Sequence, residues 1–242
     1  MLSGRDIRGR ATPSALRRPV RPRLHWFNPG WLAEQTHYEG LRRFGHLVRG
    51  TVIDVGCGRQ PYRHLFPGAA TYVGLDLPRA PEDAPVDVFG RGETSPFQSG
   101  CADTILCVQV FDYVWEPHRL FGEFARLLRP GGHLLLISSQ ANREHDPPHD
   151  LFRVTRFGLR RLTEHVGLEV VELTARGGFW TMIGHATSLY LLHNFGGLRV
   201  AGRPVVAVVC GLTQAVCGLL DRLHCDPDDT LGHLLLARKP GG

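Results

Sequence analysis

The sequence predicts an α/β protein: a doubly wound, mostly parallel sheet of seven strands, with an apolar helical insert before the last strand. Three observations carry this reading. Short β-branched and apolar runs alternate with segments of helical spacing, the order that builds parallel sheets covered on both faces. The first run stops at a glycine turn, TVIDVGCGRQPY, from Thr51 to Tyr62. The second, YVGLD, stops at the acid Asp76.

Residues 1–24, rich in Arg, Pro, Ser and Gly, read as a disordered leader, and residues 25–242 as one domain. An aromatic cluster follows (Trp26, Phe27, Trp31, Tyr38), broken by Asn28-Pro29-Gly30. Leu41, Phe44, Leu47 and Val48 recur at helical spacing up to a stop at Gly50. Strands are expected at 51–55, 71–76, 86–89, 103–110 and 133–139, with a short helix at 61–66 and a longer one at 117–128. Beyond a loop come a helix at 155–166, a strand at 168–173 and a last strand at 231–238. Between those two strands lies the apolar, mostly helical insert, 179–224. No internal repeat is present.

Apolar content of 43% and charged content of 21% are ordinary for a globular chain. The net charge of +5 is local. Residues 1–23 hold seven arginines and one acid, Asp6, leaving 21 basic and 22 acidic residues for the rest. A basic arm can touch phosphates or a membrane surface; Arg-rich coding bias in a disordered terminus explains it as well. Six scattered cysteines without a C-x-x-C pair argue against structural zinc and against a disulfide scaffold. No apolar signal segment opens the chain, so a reducing cytoplasm is the expected compartment. The longest apolar stretch, 205–220, is interrupted by Thr213 and Gln214 and is short for a bilayer span.

A glycine turn after the first strand of a doubly wound sheet sits at the topological switch point, where ligands bind. Gly56 and Gly58 remove Cβ atoms that would hold a ligand away from the backbone. A dinucleotide fold needs G-x-G-x-x-G, but the sixth position here is Pro61, and Asp54 sits inside the motif. A carboxylate repels a pyrophosphate and attracts an ammonium, so the turn suits a cationic amino-acid ligand. Asp76 is placed to accept both hydroxyls of a ribose; a turn residue or helix cap is the plainer role of a lone strand-end Asp.

In these residues the chain resembles the class I S-adenosylmethionine-dependent methyltransferases, in their small-molecule or glycan-pathway branch. VIDVGCG is similar to the family's first motif and YVGLDL to its ribose-binding strand. SPFQSGCADTILCVQVFDYVWEPHRLFGEFARLLRPGGHLLLIS resembles its fourth-strand, helix and fifth-strand unit, with Arg129-Pro130-Gly131-Gly132 as the turn into the fifth strand. The resemblance implies a Rossmann-like methyltransferase sheet and S-adenosyl-L-methionine as cofactor. The cofactor-binding set so implied is Asp54, Gly56, Cys57, Gly58, Asp76, Leu77, Gln109 and Val110. Asp54, Gly56 and Gly58 fall along the methionine part and Asp76 at the ribose. Two departures stand out: Arg91 occupies a position where the family often has an acid, and Asp112-Tyr113 stands where many members have Glu-His.

The loop HDPPHDLFRVT, from His145 to Thr155, admits two readings. Two histidines and two aspartates in six residues suit a divalent ion, but Pro147 and Pro148 exclude the helix that would align them, and no metal is expected. The loop also resembles the H-x-x-P-x-D-x-x-R-x-T loop of methyltransferases linked to glycan and lipid-linked pathways, through His145, Pro148, Asp150, Arg153 and Thr155. His145 and His149 are then the candidate general bases for a hydroxyl acceptor. Asp150 and Arg153 read as a pair that holds the loop, and Thr155 as a helix cap. The expected partner is a small-molecule or glycan-type acceptor, without nucleic acid. The insert is expected to cover the acceptor or to form a homodimer face; a membrane-surface contact is the less favoured alternative. A non-catalytic cofactor-binding protein, suggested by Arg91 and Tyr113, and a nucleic-acid methyltransferase using the basic leader are the rival classes. The near-neutral body and the lack of an Asn/Asp-Pro-Pro-Tyr/Phe motif count against the second.

Overall fold

The computed structural model of the chain describes residues 25, 27–78, 80, 84–195 and 202–241; the expected leader at 1–24 and Trp26 lie outside them. The strands are β1 (Gly50–Val55), β2 (Ala69–Asp76), β3 (Val88–Phe89), β4 (Ala102–Val108), β5 (Leu128–Ser139), β6 (Glu169–Ala175) and β7 (Gly232–Arg238). They form one sheet in the order β3-β2-β1-β4-β5-β7-β6. Neighbours from β3 through β5 pair in parallel. β7 runs antiparallel between β5 and β6. The chain leaves β1 toward β2 on one side and returns to β4 on the other, so the switch point lies where β1 ends.

Side chains alternate faces along a strand, and here both faces are covered. Ile53 and Val55 of β1 pack with Leu120, Phe121, Phe124 and Leu127 of α2 (Pro117–Leu127) and with Leu159 of α3 (Arg156–His165). Val52 packs on the other face with Leu41 and Phe44 of α1 (Trp31–Phe44). That double burial makes the strand sequences near-continuous apolar runs. Phe121 and Phe124 are fully buried, and truncating either to Ala would cost about 3–5 kcal/mol. Pro117 opens α2 at its first turn, where its missing N–H is harmless. Thr155 caps α3 as expected, its Oγ1 accepting from the Gly158 N–H.

Several boundaries differ from expectation. The first helix starts at Trp31, ten residues before the periodic run. The Asn28-Pro29-Gly30 break is its entry turn, with Gly30 N–H donating to Asn28 Oδ1 at 3.0 Å. Gly50 opens β1, with φ +66°, because a Cβ there would lie 2.2 Å from Asp103 Oδ2. The helix expected at 61–66 is a single 3-10 turn, Arg63–Leu65, since the preceding Gln60 is fixed at φ +50° with its side chain drawn into the core. The strand at 86–89 shortens to Val88–Phe89. β4 stops before Gln109, whose φ of +56° turns the chain out of the sheet. The insert is two helices, α4 (Phe179–Phe195) and α5 (Gly202–Leu223).

Candidate active site

The turn after β1 is built from the backbone. Gly56 N–H and Cys57 N–H both donate to Leu75 O, at 2.8 and 3.2 Å, and lock the turn onto β2. Gly56 and Gly58 have φ of +69° and +47°. Their lack of a side chain serves different ends. A Cβ on Gly56 would sit 2.1 Å from Val110 Cγ2, whereas one on Gly58 would meet nothing within 4 Å. Gly56 therefore makes room for the segment after β4, and Gly58 alone leaves open space for a ligand. Cys57 points down into the fold and is buried; Gly74 admits it, since a Cβ there would lie 2.7 Å from Cys57 Sγ. Burial, then the carboxylates of Asp54, Asp76 and Asp87, push this thiol far above its ordinary range, so it is no nucleophile.

Asp76 at the end of β2 is held in place by two amides. Gly58 N–H donates to Oδ2 and Leu77 N–H to Oδ1, each at 2.7 Å. Asp54 lies beneath the turn, 3% exposed, and accepts the Tyr72 hydroxyl proton at Oδ2 at 2.6 Å. Burial raises its pKa to about 7; the Tyr72 bond opposes the rise and Asp76 adds to it.

A cavity of about 360 Å³ opens beside this turn. Of the expected cofactor set, Gly56, Asp76, Leu77, Gln109 and Val110 line it, while Asp54, Cys57 and Gly58 are not among its lining residues. Leu75, Val114 and Leu120 supply an apolar wall, and Arg91 and Glu93 stand at the far end, 3.4 Å apart. Two residues after Arg91, Glu93 brings a carboxylate into the same lining. An apolar slot with a fixed carboxylate at its edge, an open glycine and a buried acid fits a nucleoside joined to an amino acid.

Gln109 N–H donates to Ile137 O, and Ser139 Oγ donates to Gln109 Oε1 at 2.7 Å. Tyr113 lines the cavity and stacks edge-on against His145, ring centroids 5.7 Å apart. His145 Nδ1 lies 3.3 Å from Asp150 Oδ2. Arg153 grips Asp150 through both guanidinium nitrogens, and that bond first of all holds the Asp150 carboxyl down at about 2. Arg153 Nη1 also lies 3.7 Å from Asp112 Oδ2. His145 therefore sits at the cavity rim. His149 does not: it is exposed, on a turn closed by its N–H to Asp146 O. Among the described residues no group of three or more His, Cys, Asp or Glu is arranged to hold a metal ion.

The structure also gathers a polar cluster from four distant segments. His37 (α1), Tyr62 (after the glycine turn), Arg176 (after β6) and His185 (α4) lie together at the carboxyl ends of the strands. Tyr62 Oη is 3.2 Å from His37 Nδ1. Arg176, 5% exposed, donates from Nη1 to Ser138 O at 3.0 Å and from Nη2 to Thr36 Oγ1 at 3.4 Å, while its Nε has no partner among the described residues. Burial lowers Arg176 to about 10 and His185 to about 4. Burial, then Arg176 and His185, hold His37 well below the ordinary histidine range. The cluster thus sets two neutral imidazoles beside a buried cation. Each residue stands alone in sequence; the one cue was Arg176 ahead of Gly177-Gly178 at a strand's carboxyl end.

Residues 53–136 match the family model described as a methyltransferase domain. An uncharacterized methyltransferase of Mycolicibacterium vanbaalenii is 29% identical over 62% of this chain and 60% of its own length. The chain thus spans about three fifths of that curated relative. Among solved structures, phosphoethanolamine N-methyltransferase 2 of Haemonchus contortus, in complex with S-adenosyl-L-methionine, aligns with a TM-score of 0.58 at 14% identity, over 90% of this chain and 57% of that one. The [4+2]-cyclase SpnF aligns with a TM-score of 0.55 at 20% identity, over 83% and 82%. These likenesses establish a shared fold, and a fold alone names no reaction. Together with the matched domain and the glycine turn at the switch point, they show a methyltransferase-like Rossmann fold whose residues 53–136 are similar to a methyltransferase domain.

Proposed function

We propose that the chain is an S-adenosyl-L-methionine-dependent methyltransferase of the cytoplasm acting on a small-molecule or glycan-type acceptor at a hydroxyl oxygen. The observation that carries the proposal is Asp76, clamped by the Gly58 and Leu77 amides at the edge of the cavity. The clamp uses one lone pair on each oxygen and leaves the others for two vicinal hydroxyls. The leucine and valine wall takes the base, Glu93 its polar edge, and Asp54 with the open Gly58 the ammonium-bearing end. When bound, the cofactor supplies a methyl group on a sulfonium centre, so most of the protein's task is positioning.

The acceptor side supports the finer reading. Asp150 and Arg153 brace the loop that carries His145, whose imidazole is available to take a hydroxyl proton. A glycan-type acceptor is favoured by the form of this loop, and nucleic acid is disfavoured by the near-neutral body of the chain. Six free cysteines accord with a reducing compartment. The test is calorimetry of the full chain with S-adenosylhomocysteine, followed by transfer from isotopically labelled cofactor to candidate acceptors. Binding with transfer is expected; absence of binding overturns the proposal, and binding without transfer to any hydroxyl acceptor overturns its catalytic part.

A further inference from the structure

His145 has two ring nitrogens, and the fold treats them differently. Its Nδ1 lies 3.1 Å from the Arg143 carbonyl oxygen and 3.3 Å from Asp150 Oδ2. Both neighbours are acceptors. A neutral imidazole carries one proton, on the nitrogen whose surroundings accept a hydrogen bond. A lone pair on Nδ1 would face two oxygens and be repelled, so the proton belongs there. The lone pair then sits on Nε2, to which no described residue is hydrogen-bonded, in a side chain 43% exposed. Tyr113, edge-on to this ring, and the next residue, Asp146, both line the cavity.

Asp150 is placed to preserve this arrangement, with its side chain only 4% exposed. Its Oδ2 accepts the His145 backbone N–H at 3.0 Å and Arg153 Nη2 at 2.7 Å, while Oδ1 accepts from Arg153 Nη1. Arg153 Nη2 also reaches Arg143 O, at 3.3 Å. One guanidinium thus fixes both oxygens that face Nδ1. The Leu151 and Phe152 amides dock the same loop on Asp112 O, at 2.7 and 3.2 Å. We infer that Asp150 is a positioning residue that holds His145 as the Nδ1–H tautomer, leaving Nε2 to take the acceptor's proton. The hydroxyl O–H bond breaks, its electron pair stays on oxygen, and the proton bonds to Nε2. The imidazolium so formed faces the Asp150 carboxylate. This assignment deepens the proposed function and rests on His145 being its base.

The test is long-range proton–nitrogen correlation NMR of the full, unliganded chain labelled with nitrogen-15 histidine, at a pH where the ring is neutral. Loss of signals in His145→Ala identifies those of His145. The proton is expected on Nδ1; finding it on Nε2, or a mixture of both tautomers, overturns the inference. Asp150→Asn keeps the side chain's size and removes its charge. It should admit the Nε2–H tautomer while the unfolding curve shows one folded state. If Nδ1–H persists unchanged in that variant, the Arg143 carbonyl suffices and the role of Asp150 is overturned. With an acceptor that takes up labelled methyl, Asp150→Asn should lower kcat about tenfold or more and leave KM within a few-fold; a rise in KM alone would make Asp150 a loop brace and overturn the inference. The tautomer is read without cofactor or acceptor. Absence of cofactor binding would therefore sink the proposed function, whereas a wrong tautomer sinks this assignment alone.

Discussion

The Gly58 amide and the Asp76 carboxylate, eighteen residues apart in the chain, meet at 2.7 Å and join the glycine turn to the end of β2. The bond fixes the carboxylate before any ligand arrives. Replacing Asp76 by Ala should therefore weaken S-adenosylhomocysteine binding by on the order of 1–3 kcal/mol, as for the loss of hydrogen bonds to a charged group. Asn at the same position should recover part of it. Calorimetry at constant pH measures both; unchanged affinity would detach Asp76 from the ligand.

The two turn glycines should separate stability from binding. Gly56→Ala drives a Cβ to 2.1 Å from Val110 Cγ2 and should lower stability by about 1–3 kcal/mol, as overpacking does. Val110→Ala in the same chain should relieve part of that. Gly58→Ala meets no protein atom and should cost about 1–2 kcal/mol from its left-handed backbone, yet weaken ligand binding tenfold or more. Denaturant titration and calorimetry on the three variants decide it.

Asp54 implies an unusual pH profile. Its pKa is about 7 in the fold against an ordinary 3.8. Between those values the folded chain keeps a proton that the unfolded chain releases, so this group's contribution falls as pH rises across the window. Unfolding curves from about pH 5 to 8 should show the decline in the unliganded protein and less of it in Asp54→Asn. An ammonium ligand favours the carboxylate. Binding near neutrality should therefore release protons and weaken as pH drops below about 7, which calorimetry in buffers of different ionisation enthalpy detects.

His145→Ala should reduce methyl transfer by roughly 10²–10⁴-fold without altering S-adenosylhomocysteine affinity, and His149→Ala should stay within a few-fold. The reverse order would overturn the assignment. A comparable loss in His37→Gln, with His145→Ala active, would move the base to the buried cluster beside Arg176.

Much of this was legible because double burial writes itself into sequence. β1, β2, β4 and β5 carry short, mostly apolar runs, and α2 places Leu120, Phe121, Phe124 and Leu127 on one side. Glycines forced by backbone geometry, such as Gly56 and Gly58, are equally visible. The start of α1 was hidden because its first two turns mix aromatic and polar residues. The His37–Tyr62–Arg176–His185 cluster was invisible for another reason: no periodicity links residues that tertiary packing alone brings together. Glu93 left no sequence signal because an acid in a loop carries no periodicity, although it lines the cavity.

β7 lies between β5 and β6 and is paired on both sides, yet it leaves the ribosome after every strand it joins. Until it arrives, His133–Ser139 presents an open, leucine-rich edge with no partner on one flank, the kind of edge that pairs with other chains. Closing the sheet requires contacts spanning about a hundred residues, a slow and exposed step. A nascent or shortened chain lacking Gly232–Arg238 should therefore be the aggregating species, and the yield of soluble protein should depend on chaperone supply during synthesis.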